Sequence, residues 1–124
     1  MLEVKSLKVL IVDDDALIRD GLKMLIEIEE DFEVSGTACN GQEAFEMCRR
    51  EKPDIVLMDI RMPVMDGRTF LRKVRARNSN KPLFFFMTGF ADFSVETATA
   101  EGANGMISKP FTLEELKILL ASFP

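Results

Sequence analysis

The stretch Ile55-Val56-Leu57-Met58-Asp59, continued by Ile60-Arg61-Met62-Pro63-Val64-Met65-Asp66-Gly67, decides the fold. Four consecutive apolar residues after Pro53-Asp54 read as a short strand buried on both faces, as in a parallel sheet covered by helices. The strand ends on a carboxylate. Pro63 and the Asp66-Gly67 pair enforce a loop before the next helix. Keeping an Asp ionised at the end of a buried strand is costly unless a cation or hydrogen-bond donors meet it. Asp59 therefore belongs to a site or to a salt bridge.

Working outward, Leu7-Lys8-Val9-Leu10-Ile11-Val12 is a second apolar run that ends on Asp13-Asp14-Asp15. Leu83-Phe84-Phe85-Phe86-Met87 is a third, opened by Pro82 and closed by Thr88-Gly89. Gly105-Met106-Ile107-Ser108 is a short strand before Lys109-Pro110, and residues 32–38 alternate as an edge strand does. Helical spacing fills the gaps. Leu17, Ile18, Leu22, Leu25 and Ile26 form an apolar face capped by Asp15; Ala44, Phe45 and Cys48 form another; Phe70, Leu71 and Val74 a third. A weak helix is expected from Asp92 to Glu101, stopped by Gly102, and a last one from Thr112, whose Thr-x-x-Glu pattern fits a capping box, with Leu116, Leu119 and Leu120 inward. Five strands alternating with five helices predict an α/β fold, a single doubly wound parallel sheet with helices on both faces. The chain is read as one domain, 1–124, with its core from about residue 7 to about residue 122 and no output domain.

Composition narrows the function classes. The net charge is −5 without a basic run, which argues against a nucleic-acid surface. No apolar run reaches the ~18 residues of a membrane span, and the N-terminus lacks a signal pattern, so a cytoplasmic protein is expected. Histidine is absent, which removes the usual general base and zinc ligand. Cys39 and Cys48 lack metal-ligand spacing and read as free thiols.

In sheets of this kind, ligands gather at the carboxyl ends of the strands, beside a reversal of strand order. The polar residues at those ends are Asp13 and Asp14, Asp59, Thr88, and Lys109. Clustered carboxylates repel, and a hard divalent cation with oxygen ligands relieves the repulsion; Mg²⁺ suits the set, with Mn²⁺ the alternative. A hydroxyl and an ammonium opposite them suit a phosphoryl group. Together these groups describe phosphoryl transfer to a carboxylate nucleophile.

Ile11-Val12-Asp13-Asp14, Asp59 with Met62-Pro63 and Asp66-Gly67, Thr88, and Lys109-Pro110-Phe111 resemble the receiver domain of two-component response regulators over nearly the whole chain. The resemblance implies a flavodoxin-like (βα)5 fold with strand order 2-1-3-4-5. It implies that Asp59 is the phospho-acceptor and that Asp13, Asp14, Asp59 and the Arg61 backbone carbonyl surround Mg²⁺. Thr88 becomes the switch hydroxyl, Lys109 the ion-pair partner of the phosphoryl group, and Lys109-Pro110 a cis peptide. A sensor histidine kinase or histidine phosphotransfer protein would be the donor, and the face built from the fourth helix, fifth strand and fifth helix would switch, with phosphorylation-dependent homodimerisation as one outcome. Such a domain is not an enzyme; it promotes only its own phosphorylation and dephosphorylation. Met106 stands where relatives often carry an aromatic switch residue, and Arg61 and Phe90 occupy the positions that tune dephosphorylation. The competing functions are a haloacid dehalogenase-type phosphatase, whose Asp-x-Asp-x-Thr/Val signature Asp13-Asp14-Asp15-Ala16-Leu17 meets only in part, and a receiver-like interaction module that never takes phosphate.

Overall fold

The computed structural model describes residues 6–60, 67–77, 81–88, 95–109 and 111–121. The elements, in chain order, are β1 (Leu7–Val12), α1 (Ala16–Glu27), β2 (Phe32–Ala38), α2 (Gly41–Glu51), β3 (Ile55–Asp59), α3 (Gly67–Arg77), β4 (Leu83–Thr88), α4 (Val95–Ala100), β5 (Gly105–Ser108) and α5 (Leu113–Ala121). The five strands form one sheet in the order β2-β1-β3-β4-β5, with every pairing parallel. The expected α/β architecture and strand order are both present.

Side-chain alternation along the strands builds two cores. Leu10 and Val12, Val56 and Met58, and Phe84 and Phe86 join Ala44 of α2, Phe70, Leu71 and Val74 of α3, and Ala98 of α4. The intervening residues, Val9 and Ile11, Ile55 and Leu57, and Phe85 and Met87, pack with Leu22 and Ile26 of α1 and Leu116 and Leu120 of α5. A strand that feeds both clusters must be apolar at every position, which explains the unbroken runs in β1, β3 and β4. Edge strand β2 is only partly buried, and its register against β1 slips at Val9/Leu10.

The helix starts use local donors and acceptors. Asp15 accepts from the Leu17 and Ile18 amides, Asn40 from the Glu43 amide, and Thr112 Oγ1 from the Glu115 amide. Helix α1 departs from the expectation at one position: Leu17 is 84% exposed, while Leu22 and Ile26 are buried. Leu17 shares the outer side of the helix with Met24 (70%) and Ile28 (72%). The apolar arc of α1 is thus wider than the sheet face it covers.

Basic residues of α3 grip the far side of the domain. Arg68 pairs with Glu101 through two guanidinium nitrogens, and Arg72 lies 3.7 Å from the same carboxylate. Arg75 donates to the carbonyls of Gly102 (2.8 Å) and Pro82 (2.9 Å) and to Asn104 Oδ1 (3.1 Å). Asn104 in turn bonds the β4 backbone at Phe84 through both its amide and its side chain. Burial lowers the Arg75 pKa from its usual value, and its Nη1 is buried with no hydrogen-bond partner among the described residues.

Two outcomes follow from the packing. A Cβ at Gly67 would lie 2.8 Å from the Phe86 ring and 3.0 Å from the Asp59 carbonyl. Gly67→Ala should therefore cost about 1–3 kcal/mol in urea unfolding, the usual range for overpacking. Burial pushes the Cys48 thiol up to about 12. Its neutral form is favoured by folding, so this contribution to stability is whole below the ordinary value of 9.0 and is lost as pH rises toward 12. At pH 8, Cys48 should resist iodoacetamide in the folded protein and react after denaturation, as read by peptide mass spectrometry.

Candidate functional site

The order β2-β1-β3 means that the chain reverses direction across the sheet between β1 and β3. Asp13 follows β1 directly and Asp59 ends β3, so the two carboxylates flank that reversal at the carboxyl edge. Asp13, Asp14 and Asp59 each bring a carboxylate oxygen within 4.8 Å of the others. Their environments differ: Asp13 is fully buried, Asp59 half-buried and Asp14 exposed.

Buried Asp13 is satisfied on both oxygens. Oδ1 accepts the Asp15 amide at 2.9 Å, and Oδ2 accepts Lys109 Nζ at 2.7 Å. Its backbone is held too, by Ala38 through its amide and by the Arg19 guanidinium through its carbonyl. Lys109 Nζ also stands 3.5 Å from Asp59 Oδ2, so one ammonium bridges the ends of β1 and β3. Sequence parity explains the convergence. Asp13, Asp59 and Lys109 each continue the alternation of Val9 and Ile11, of Ile55 and Leu57, and of Ile107, whose side chains share one core. Thr88 continues the opposite set, Phe84 and Phe86, and is buried at the end of β4. Its carbonyl accepts the Lys109 amide at 2.8 Å, which fixes where the lysine leaves β5.

Four of the expected site residues, Asp13, Asp14, Asp59 and Lys109, thus come together, with Thr88 ending the neighbouring strand. Arg61, Met62, Pro63, Asp66, Gly89, Phe90, Asp92 and Pro110 lie outside the described residues. Met106 is half-buried, pairs with Phe86 across the sheet and packs in the cluster that holds Ala98 and Ala103. Asp15, which the phosphatase signature would place at the site, caps α1 instead. Two contributions escaped the sequence. Gly67 lets α3 approach the backbone at Asp59 and Ile60, a need only hinted at by the Asp66-Gly67 turn signal. Arg19 braces the Asp13 carbonyl, and no motif marks it.

Known proteins match this architecture closely. The family model of the response regulator receiver domain matches residues 9–121. The transcriptional regulatory protein LnrK of Bacillus subtilis is 38% identical over 89% of this chain, which spans 50% of LnrK. A protein-glutamate methylesterase/protein-glutamine glutaminase of Methanococcoides burtonii is 37% identical over 89% of the chain, spanning 32% of that protein. The chain therefore spans half or less of these curated relatives. Among solved structures, the signal receiver domain of the putative response regulator NarL from Mycobacterium tuberculosis superposes with a TM-score of 0.85, at 29% identity, covering 95% of this chain and 96% of that one. A chain of the CheX-CheY-BeF3-Mg+2 complex from Borrelia burgdorferi gives 0.84 at 28% identity, covering 94% and 87%. A family-model match running from β1 to the end of α5 means that this chain belongs to the receiver domains of two-component response regulators.

Proposed function

We propose that Asp59 accepts a phosphoryl group from the phosphohistidine of a sensor histidine kinase or histidine phosphotransfer protein. The observation that carries this is the convergence of Asp13, Asp14 and Asp59, with Lys109 bridging Asp13 and Asp59. A carboxylate oxygen of Asp59 attacks phosphorus, the P–N bond breaks, and its electron pair returns to the departing imidazole. Asp59 is the half-buried member of the trio, reachable by a donor yet held at a strand end. The exposed Leu17, in the first turn of α1 directly after the acidic loop, would give a macromolecular donor an apolar contact.

The donor set fits Mg²⁺, with Mn²⁺ as a substitute. Three carboxylates cluster where one ammonium bridges two of them, so two negative charges are left to a divalent ion, and all the carboxylate ligands are hard oxygens. Asp13, Asp14 and Asp59 would hold it, with the Arg61 carbonyl as a further oxygen. When bound, such an ion neutralises charge on phosphoryl oxygens. Lys109 supplies positive charge that can follow the phosphoryl group from Asp59, and the Thr88 hydroxyl offers a donor from the neighbouring strand. Phosphorylation replaces a monoanion by an acyl phosphate of higher charge, and drawing Thr88 and Lys109 toward it would shift α4, β5 and α5. Met106 lies on that face, and its unbranched thioether adapts where relatives often use a ring. Arg61 and Phe90 would tune hydrolysis. Output and partner choice would be set by what this face meets, and homodimer formation on phosphorylation is one such outcome.

With Mg²⁺ and acetyl phosphate, the intact protein should gain the mass of a single phosphate, and Asp59→Asn should not. A mass gain that persists in the variant would move the acceptor elsewhere. Asp14→Ala, at an exposed position, should leave the fold intact. It should weaken Mg²⁺ binding by roughly tenfold or more, the scale on which even outer-shell partners of a metal act. Amide shifts of Asp13 and Asp59 during Mg²⁺ titration give the reading.

A further inference from the structure

At the opposite edge of the sheet, the C-terminal ends of α2 and α3 enclose a cleft of about 420 Å³. That volume falls within the ~300–1,000 Å³ of small-molecule sites. Among the described residues, its apolar lining is Phe45, Cys48 and Val74, with Pro53 and Pro82 where β3 and β4 begin. Arg49, Lys52 and Arg77 also line it. No carboxylate among the described residues lies within ion-pair reach of these three. The acid in the cleft, Asp54, has its Oδ2 engaged by the Lys8 amide at 2.8 Å.

Two further observations point to a ligand. The Arg77 guanidinium and Lys73 ammonium stand 6.0 and 5.7 Å from the centre of the Phe45 ring, so positive charge is concentrated beside a flat apolar surface. Lys52 has φ 49°, in the left-handed region. It ends α2 in the conformation where glycine is usual, and a residue with a Cβ adopts it under strain. A side chain held in that backbone region is a candidate for function. Basic side chains also complement helix C-termini, but that role requires neither a concave apolar floor nor Lys in a glycine conformation.

We infer that this cleft binds a small organic anion with a flat apolar body, such as an aromatic carboxylate. The apolar body lies against Phe45, Val74 and the prolines, and the anionic group meets Lys52, Arg49 and Arg77. The site is separate from the acidic edge and does not depend on phosphorylation at Asp59.

The test uses 2-naphthoate and its neutral isostere 2-naphthamide, followed by amide chemical shifts. Naphthoate should give saturable shifts at Phe45, Cys48, Val74 and Arg77 below about 10 mM, and the amide should bind at least roughly fivefold more weakly, a charge contribution of about 1 kcal/mol. Lys52→Gly relieves the left-handed backbone, so it should hold or raise the thermal midpoint while weakening naphthoate at least roughly threefold. Arg77→Gln should weaken it similarly. Shifts elsewhere, equal binding of acid and amide, unchanged affinity in Lys52→Gly, or binding of an acidic peptide without binding of naphthoate would each overturn the assignment.

Discussion

The structure depends on one buried charge. Asp13 is fully buried at the end of β1, and an isolated carboxylate there would cost several kcal/mol. Lys109 reaches it from β5 at 2.7 Å, across the positions of β3 and β4, and the Asp15 amide fills its other oxygen. The pair can form only if all the intervening strands are parallel and in register at their carboxyl ends. The pair that neutralises Asp13 thereby also sets Lys109 3.5 Å from Asp59. Stability and site share a single contact, and a change in charge at Asp59 is felt by a lysine already divided between two acids.

Much of this was legible in the sequence because strand ends are legible. Unbroken apolar runs fix where β1, β3 and β4 stop, and a parallel sheet puts all the stops on one edge. The polar residue just past each run is then a site candidate without any knowledge of packing. Parity goes further: Asp13, Asp59 and Lys109 all fall in step with the strand residues of the α1/α5 core, which is why one ammonium can serve both acids. The strand order itself does not follow from alternation and came through family resemblance. The error at Leu17 has a simple origin. Helical period marks all apolar positions on an arc, whereas burial is decided by the width of the sheet beneath, which no local pattern encodes.

Long-range polar contacts were the least legible. Arg68, Arg72 and Arg75 sit in a basic helix whose other cations, Lys73 and Arg77, belong to the opposite side. Nothing in the sequence marks which of them have partners. In space three of them fasten the end of α4 and the start of β5 to α3, through Glu101, Gly102 and Asn104. Gly102 was visible as a helix stop, but its φ of 108° and its carbonyl bond to Arg75 show that the stop is also an anchor. The short helix α4, weak by propensity, is thus tethered at its C-terminal end through charged and partly exposed groups.

That tether bears on how a signal at the acidic edge travels. Thr88 and Lys109 end β4 and β5, and their own backbones are joined by a hydrogen bond. The opposite ends of the same two strands are joined to α3 through Pro82, Phe84 and Asn104. The two strands are therefore fixed at the Arg75 end and charged at the Lys109 end. A shift at Lys109 cannot slide β5 as a whole without breaking the Arg75 contacts. A displacement that keeps those contacts would fall on the carboxyl half of β5 and on the helices that pack on it. Arg75, through its bonds to Gly102, Pro82 and Asn104, would be the fixed point of such a displacement.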